Sequence, residues 1–440
     1  MNRREVLTGV GRVAAAGAGA GWAACVAPAS PSHSTMATPP SGHLFTADGA
    51  ILQVARVPPD RLYVAVRGDD GRTRVHAVGV DGTEHWASAG DYLVPLVATP
   101  RTVFVPQDTD RGIVTGARSV EALEPTDGDR RWREPVPEHA VRALCAGEGT
   151  LVGGSYDDAL GAGEHLFAMR AADGDVAWRV PTSDVTDGWR VGETVLVETS
   201  DGVAAHDIRT GKRRWSMTLG GRDRLAAGSG VLAVARSGLR LDGLEGLLGV
   251  DLTTGETRWR LTERGSPVQP TALAPALDDR VRSTSRDTVY AGDERGRVRA
   301  LDVRSGRPRW ALDLQSSAVD DIALHETAGG SRRLVALADG AVYGLGPGAA
   351  SPDWTQPLPA EPRSAVRVVG DVVYVALSHE MPMEEDRLRA YGADEGTLRW
   401  DRSVGRGGGA RFVPVGDALL VVLGDTVYAV TGDAPPPRPG

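Results

Sequence analysis

Residues 298–310 read VRALDVRSGRPRW, and this stretch decides how the chain folds. The first six residues have the alternating pattern of a strand with one buried face. Ser305-Gly306 follows, and glycine supplies the positive φ that a tight hairpin turn needs. A second short strand then carries Trp310. The stretch therefore predicts two antiparallel strands joined by a hairpin, with a tryptophan on the second strand.

The same pattern recurs along the chain at intervals of 37 to 51 residues. Eight of the ten tryptophans follow it, namely Trp86, Trp132, Trp178, Trp215, Trp259, Trp310, Trp354 and Trp400. Seven of these have a glycine four positions earlier, namely Gly82, Gly128, Gly174, Gly211, Gly255, Gly306 and Gly396. An indole placed once per unit can cover the seam with the next unit and donate its N–H to a backbone carbonyl. We therefore expect these tryptophans to be structural, the alternative being an aromatic ladder that stacks ligands.

Each unit also contains two earlier short strands, as in AVRVVGDVVYVALS at 365–378. Four short strands in about 44 residues match one blade of a β-propeller. The chain is therefore predicted to be all-β, a single propeller of four-stranded antiparallel blades closed by its N- and C-terminal strands. The eight tryptophan strands favour eight blades. Nine is the alternative, because GHLFTAD at 42–48 could complete a blade with the three strands that follow Trp400.

The repeat resembles the tryptophan docking motif of propellers of the pyrroloquinoline-quinone (PQQ) type, Ala-x-Asp-x-x-Thr/Ser-Gly-x-x-x-Trp. Two units carry it in full, with Ala300, Asp302, Ser305, Gly306 and Trp310 in one, and Ala205, Asp207, Thr210, Gly211 and Trp215 in the other. A third unit keeps Asp251, Thr254, Gly255 and Trp259, with Gly249 at the alanine position, and the other units keep only the glycine and the tryptophan. The resemblance covers about residues 43–431 and extends to the outer-membrane assembly propeller lipoprotein of Gram-negative bacteria. It implies a fold rather than an activity, because this fold hosts several unrelated functions.

The same resemblance raises the prospect of a quinoprotein dehydrogenase. Those enzymes are similar to one another in a vicinal cysteine pair and in a calcium ion held by Glu, Asn and Asp. Here the two cysteines, Cys25 and Cys145, are far apart, and the only asparagine is Asn2. We therefore expect no enzyme activity, no catalytic residues and no bound cofactor.

The first residues predict export. MNRREVL resembles a twin-arginine signal, and residues 13–24 are apolar but too short to span a membrane. Ala23-Ala24-Cys25 resembles the end of a lipobox, so Cys25 is the predicted lipidation site; ordinary cleavage after Ala29 is the alternative. The predicted organisation is a signal peptide at 1–25, a Pro/Ser/Thr-rich linker at 26–42, the propeller at 43–431 and a Pro-rich tail at 432–440.

Charge narrows the range of partners. The formal net charge is −9, and nucleic-acid binding needs a basic surface instead. Of the 49 basic residues, all but Lys212 are arginine, which indicates a GC-rich, actinobacterium-like source. We expect no nucleic-acid partner and contact with a membrane only through a lipid anchor.

The loops between the second and third strands of the units vary most in length. The long ones lie at 106–119, 153–166, 236–248 and 378–387. In a propeller such loops share one face with the connections between blades, and binding tends to reside in loops on a rigid scaffold. Their acidic residues are Asp108, Asp110, Asp157, Asp158, Asp242, Glu384, Glu385 and Asp386.

Two of these loops offer metal-ligand candidates. His379, Met381 and Met383 are soft ligands suited to copper, and Asp157-Asp158 could contribute to a calcium site. In both cases a solvated acidic loop is the favoured alternative. His76 and His85 are too few for a four-ligand site, and Cys145 is expected to be a buried, inert thiol.

These observations together predict a monomeric, exported, non-catalytic scaffold. Its expected partner is a protein or cell-envelope ligand, bound on the long-loop face. Two alternatives stay open: a PQQ- or metal-dependent oxidoreductase or lyase that uses the axial pocket, and an extracytoplasmic sensor domain.

Overall fold

A computed structural model describes the following residues: 41–107, 119–136, 141–147, 149–155, 164–183, 185–219, 223–236, 246–263, 266–267, 270–274, 287–326, 332–348, 350–358, 363–378, 385–406, 411–415 and 417–436. These residues form strands and turns. They include no helix, and therefore none able to cross a membrane.

The strands form nine antiparallel sheets, which we call blades and number in chain order. Blade 1 consists of β2 (Gly49–Val57), β3 (Arg61–Gly68), β4 (Thr73–Gly79) and β5 (Glu84–Gly90). Blade 2 consists of β6 (Val97–Ala98), β7 (Val103–Gln107), β8 (Ser119–Leu123) and β9 (Arg130–Pro135). Blade 3 consists of β10 (Val141–Gly147), β11 (Thr150–Ser155), β12 (His165–Arg170) and β13 (Val176–Pro181). Blade 4 consists of β14 (Val185–Val191), β15 (Thr194–Thr199), β16 (Gly202–Asp207) and β17 (Arg213–Met217). Blade 5 consists of β18 (Arg224–Gly228), β19 (Val231–Arg236), β20 (Gly246–Asp251) and β21 (Thr257–Glu263), with the short β22 (Ser266–Pro267) paired to β21. Blade 6 consists of β23 (Pro270–Ala274), β24 (Thr288–Asp293), β25 (Arg297–Asp302) and β26 (Pro308–Asp313). Blade 7 consists of β27 (Val319–Glu326), β28 (Arg332–Ala338), β29 (Ala341–Leu345) and β30 (Trp354–Pro357). Blade 8 consists of β31 (Arg363–Val369), β32 (Val372–Ser378), β33 (Glu385–Gly392) and β34 (Leu398–Arg406).

Blade 9 closes the ring with strands from both ends of the chain. It consists of β35 (Arg411–Val415), β36 (Ala418–Leu423), β37 (Thr426–Val430) and β1 (Gly42–Thr46). The N-terminal strand pairs antiparallel with β37, from Gly42 opposite Ala429 to Thr46 opposite Thr426. The number of blades is therefore nine, the alternative left open above, and not the favoured eight. Counting tryptophans misses one blade because the outer strand of blade 9 is β1, which has none.

Each blade has the same order of strands from the axis outward. The first strands of neighbouring blades lie beside one another, as β23 does with β27 and β27 with β31. The fourth strand is the outer edge, and in blades 1 to 8 it carries the tryptophan. Its side chains are alternately exposed, as in β5 and β9. Single charged residues along these edges oppose pairing with another chain.

Apolar side chains fill the seams between the blades. Nine clusters of buried residues join consecutive blades, and the last joins blade 9 to blade 1 through Leu44, Phe45 and Val64. Burying one such side chain contributes roughly 1.5–3 kcal/mol relative to leaving it exposed. Nine seams for nine blades make a closed ring with no open sheet face.

Polar side chains of the first strands link neighbouring blades near the axis. In blade 1, Gln53 accepts from the Leu96 amide at 2.8 Å and donates to the Leu96 carbonyl at 3.2 Å. In blade 3, Arg142 donates to the Thr186 carbonyl of blade 4 at 2.7 Å. At the closing seam, Arg411 of blade 9 donates to the Leu52 carbonyl at 2.5 Å. These bonds satisfy carbonyls that no strand of the same blade covers.

Candidate functional site

The repeated tryptophans join each blade to the next. Seven of the eight indole N–H groups donate to a backbone carbonyl in the following blade over 2.8–3.2 Å. The pairs are Trp86 to Pro125, Trp132 to Ala171, Trp178 to Ile208, Trp215 to Leu252, Trp259 to Val303, Trp354 to Ala393 and Trp400 to Thr431. Trp310 instead lines a cavity of about 320 Å³ at the seam of blades 6 and 7. The indoles are thus used in packing, and they form no ladder on an open surface.

The repeated glycines receive those indoles. Gly128 has φ of +78°, and a Cβ on it would lie 2.6 Å from the ring of Trp86. Five more of the predicted glycines face the tryptophan of the preceding blade in the same way, namely Gly174, Gly211, Gly255, Gly306 and Gly396. Gly82 instead faces the Leu44 carbonyl, because the preceding outer strand is β1. Glycine is required twice here, for its conformation and for its size.

The aspartate of the motif has a structural role. Asp302 accepts from the Ser305 amide at 2.9 Å and from its hydroxyl at 2.8 Å, and it pairs with Arg309 at 3.0 Å. These contacts, with Arg309 the largest cause, lower the pKa of Asp302 to about 2. The same pair, seven residues apart, recurs in three other blades as Glu124 with Arg131, Asp207 with Arg214 and Asp251 with Arg258.

Since the motif is used in packing, the candidate site lies at the loops. The loop face is defined here as the blade ends where the second strand turns into the third and where one blade connects to the next. Beneath it, buried polar residues stand at the roots of the loops, in contrast to the apolar seams. They are Thr73, Gln107, Ser119, Ser155, Arg236, Asp293, Asp386 and Thr426. Buried polar groups of this kind hold loop ends in place when they are hydrogen-bonded.

Arg236 is the largest of these groups and is 0% exposed. It is the last residue of β19. Its Nη2 donates to the Thr218 carbonyl at 2.9 Å, and its Nε lies 3.9 Å from the carboxylate of buried Asp223. Thr218 and Asp223 belong to the connection from blade 4 to blade 5. One buried guanidinium therefore ties the end of β19 to the neighbouring interblade connection.

Blade 2 has a second polar cluster under the same face. The Tyr92 hydroxyl contacts Ser88 at 2.9 Å and donates to Glu121 at 3.3 Å. Burial raises the pKa of Tyr92 to about 12 and also raises the pKa of Glu121. The tyrosine is a neutral donor at pH 7, and its hydrogen bonds hold the connection between blades 1 and 2 in place.

Most of the predicted loop residues fall outside the described residues. This applies to the metal candidates His379, Met381, Met383, Asp157 and Asp158, to the lipidation candidate Cys25, and to Asp108, Asp110, Asp242 and Glu384.

Glu385 and Asp386 are described, at the start of β33. Glu385 is exposed, whereas Asp386 is only 4% exposed and belongs to the loop root. Cys145 is buried in β10. Within the described ranges, no group of three or more His, Cys, Asp and Glu residues could hold a metal ion.

Sequence reasoning missed a groove on blade 4. A cavity of about 400 Å³ runs from the loop face, at Thr182 and Asp201, along β16 and β17 to His206. His206 is 2% exposed; its Nδ1 lies 2.9 Å from the Gly211 carbonyl, and its Nε2 has no hydrogen-bond partner among the described residues. Burial, the largest cause, and nearby Arg213 lower the pKa of His206, and the hydrogen bond to the Gly211 carbonyl offsets part of that shift.

A comparison among the repeats could have revealed this groove. In each of the first eight blades, one residue of the third strand pairs with the tryptophan, and in blade 4 it is Ala205. The residue before it is large in every other blade, namely His76, Glu121, Phe167, Leu248, Arg299, Tyr343, Arg389 and, in blade 9, Tyr428. In blade 4 it is Ala204. The missing side chain leaves the space that the cavity occupies.

Comparison with known proteins agrees with this architecture. The model of the family described as outer membrane protein assembly factor BamB matches residues 11–182, 71–237, 192–326 and 320–434. None of the curated proteins matches the sequence.

Among solved structures, BamB from Moraxella catarrhalis is 16% identical over 78% of this chain and 92% of that one, with a TM-score of 0.42. The computationally designed Ika8 protein is 17% identical over 81% of this chain and 98% of that one, with a TM-score of 0.45. The C-terminal WD40 domain of Sif2 is 9% identical over 90% of this chain and 99% of that one, with a TM-score of 0.52, a likeness of fold alone. On the family match, which spans the whole propeller, the chain belongs to the family of the outer membrane protein assembly factor BamB.

Proposed function

We propose that the protein is an extracytoplasmic, non-catalytic scaffold that binds a protein partner of the cell envelope on its loop face. The observation that carries the proposal is membership of the BamB family, whose description is that of an assembly factor. The described residues of the repeat motif support it, because they are engaged in joining blades and leave the loops as the free surface.

The architecture of the loop face supports a binding role. Its loops start from strands of a closed ring, and buried groups such as Arg236 and Ser155 hold their roots. A rigid base lowers the entropy that the loops would lose on binding a partner. Charges also stand on the described part of this face. Arg74 lies 3.0 Å from Asp70 and 3.5 Å from Asp48, which ties the second turn of blade 1 to the link from blade 9.

The place of action is proposed from the N-terminal sequence. Arg3-Arg4 and Cys25 supply the export and lipidation motifs, and residues 26–42 supply an extended tether. If Cys25 carries the anchor, Cys25→Ala should move the protein from the membrane fraction to the soluble fraction. Equal membrane association of the variant and the parent would contradict lipidation.

Site-specific photocrosslinking in cells tests the scaffold role. A photoreactive residue replaces exposed Asp69 or Glu385 on the loop face, and a matched one replaces Lys212, which is exposed on the opposite face. We expect a discrete crosslinked protein from the two loop-face positions and none from position 212. Equal yields from both faces, or none from either loop position, would refute a partner on the loop face.

A further inference from the structure

The cavity on blade 4 departs from the repeat at two positions on one face of the same strand. Ala204 replaces the large residue found in the other eight blades. His206 stands where those blades have an apolar side chain, namely Val78, Leu123, Met169, Val250, Leu301, Leu345, Tyr391 and Val430. The small side chain of Ala204 leaves space for the cavity, and His206 places a polar ring at the end of that cavity.

His206 has one ring nitrogen that is hydrogen-bonded and one that is buried without a partner among the described residues. A carbonyl oxygen only accepts, so the Nδ1–H must donate to the Gly211 carbonyl, 2.9 Å away. That bond fixes the tautomer and leaves the lone pair on Nε2, as long as the ring is neutral. Nε2 is buried and has no partner in the described part of the chain. An unsatisfied buried acceptor is unfavourable, and a ligand that donates a hydrogen bond to it would offset that cost.

The rest of the lining selects the ligand. Hydroxyl groups of Thr182, Ser216 and Thr218 stand along the groove, and hydroxyls both donate and accept. Arg213, the cross-strand neighbour of His206, also lines the cavity, and it has no carboxylate partner in the ranges that the structure describes. Most arginines that precede the tryptophans do have one, for example Arg214 with Asp207 at 2.6 Å.

We propose that the blade-4 cavity binds a small polyol that bears a carboxylate or phosphate group. One hydroxyl of the ligand donates to His206 Nε2, and its anion is held by Arg213. The volume, about 400 Å³, lies in the range of small-molecule sites. This inference is independent of the scaffold role, because it concerns a small molecule held by His206 and Arg213 and does not require a protein partner on the long loops.

Binding of four small probes to the full chain tests the proposal. D-glucuronate and D-glucose 6-phosphate have both groups, D-glucose lacks the anion, and acetate lacks the hydroxyls. Titration calorimetry gives the affinities, and the ¹⁵N shift of His206 Nε2 reports the hydrogen bond. We expect at least one of the two acids to bind with a dissociation constant of about 1 mM or lower, at least about tenfold tighter than glucose or acetate, and to shift the Nε2 resonance. The tighter of the two acids identifies the anion.

Variants show whether this cavity is the site. Arg213→Gln should weaken binding at least about tenfold, whereas Lys212→Gln, which removes the adjacent exposed cation, should leave it unchanged. Ala204→Leu fills the cavity with the residue that blade 5 has there, Leu248, and should abolish binding. His206→Val installs the blade-5 residue Val250 and should do the same, so the test stands if one variant fails to fold.

Three results would overturn the proposal. The first is that neither acid binds at about 10 mM or shifts Nε2, in which case the cavity holds only water. The second is that glucose binds as tightly as the acids. The third is that Ala204→Leu or His206→Val, with an unchanged thermal melt, keeps the affinity of the parent.

Discussion

At the residue scale, the absence of a side chain at Gly128 lets blade 1 pack against blade 2. Gly128 lies against the indole of Trp86, which donates to Pro125 of the same turn. Any side chain at position 128 would contact the ring before the indole N–H reached its carbonyl. The turn glycine is therefore as much a packing residue as a turn residue.

Gly128→Ala should destabilise the protein by more than the turn conformation alone requires. A positive φ costs alanine roughly 1–2 kcal/mol, and displacing the Trp86 ring adds about 1–3 kcal/mol. Gly71→Ala is the matched control, because Gly71 has φ of +76° and nothing within 4 Å of the added Cβ. Urea unfolding of both variants measures the difference. Equal losses would show that the indole does not constrain position 128.

His206 makes stability depend on pH near neutrality. Its pKa is lowered from 6.5 on folding, mainly by burial, so the unfolded chain binds the proton more readily. The contribution is complete above pH 6.5 and declines as the pH falls through the lowered folded pKa. We expect the free energy of unfolding to decrease from pH 7.5 to pH 5.5, and less steeply in His206→Val. Parallel pH profiles for the two proteins would contradict a buried neutral ring.

At the element scale, the hairpins of four blades are each held by one carboxylate and one guanidinium seven residues apart. Asp302 caps its own turn and pairs with Arg309 across it. Blade 3 reverses the charges, for Arg170 takes the acidic position and pairs with Asp173 at 3.0 Å. A carboxylate–guanidinium pair stabilises the hairpin whether the acidic or the basic residue occupies the motif position. Blade 3 therefore keeps the turn without the motif aspartate.

Acid should weaken this hairpin through Asp302. Its pKa falls from 3.8 to about 2 on folding, so the stabilisation is present above pH 3.8 and is lost as the pH falls through about 2. The pair is partly exposed, so its effect should not exceed about 1 kcal/mol. Asp302→Asn should therefore lower stability at pH 6 and converge on the parent near pH 2. Glu395→Gln, on the corresponding exposed turn of blade 8, serves as the control and should change little at either pH.

At the scale of the whole molecule, five residues near one end of the chain complete the ring. Strand β1 covers the open edge of β37, and its Leu44 and Phe45 fill the seam between blades 9 and 1. Without β1, that edge and that seam would be exposed together. Unpaired edge strands promote association with other chains.

Removing residues 1–46 should therefore convert the monomer that we expect into self-associating species. Removing residues 1–40 is the matched control, because it keeps Gly42–Thr46 in place. Light scattering after gel filtration measures the mass of each. A monomeric, fully stable 1–46 deletion would show that the ring does not depend on this strand.

The candidate site was predictable only in part. The hairpin, its glycine and its tryptophan follow from neighbouring residues, so the order of residues alone assigns Gly306 and Trp310 a structural role. Which carbonyl receives each indole depends on the next blade, 30 to 44 residues away. The groove at His206 needed both Ala204 and the packing of blade 3 on blade 4. A comparison among the repeats identifies Ala204 as an exception, but the packing that leaves the space open follows only from the tertiary structure.

The sequence by itself determined the repeat, the four-stranded blade and the propeller, because local turn chemistry and alternating side chains act over a few residues. Only the tertiary structure decided that the ring has nine blades. That number depends on the pairing of Gly42 with Ala429, residues at opposite ends of the propeller. The same long-range packing places the tryptophans in the seams, buries Asp386 at a loop root and leaves the blade-4 cavity open. Burial depends on residues that are close in space but distant in sequence, so the order of residues alone does not show it.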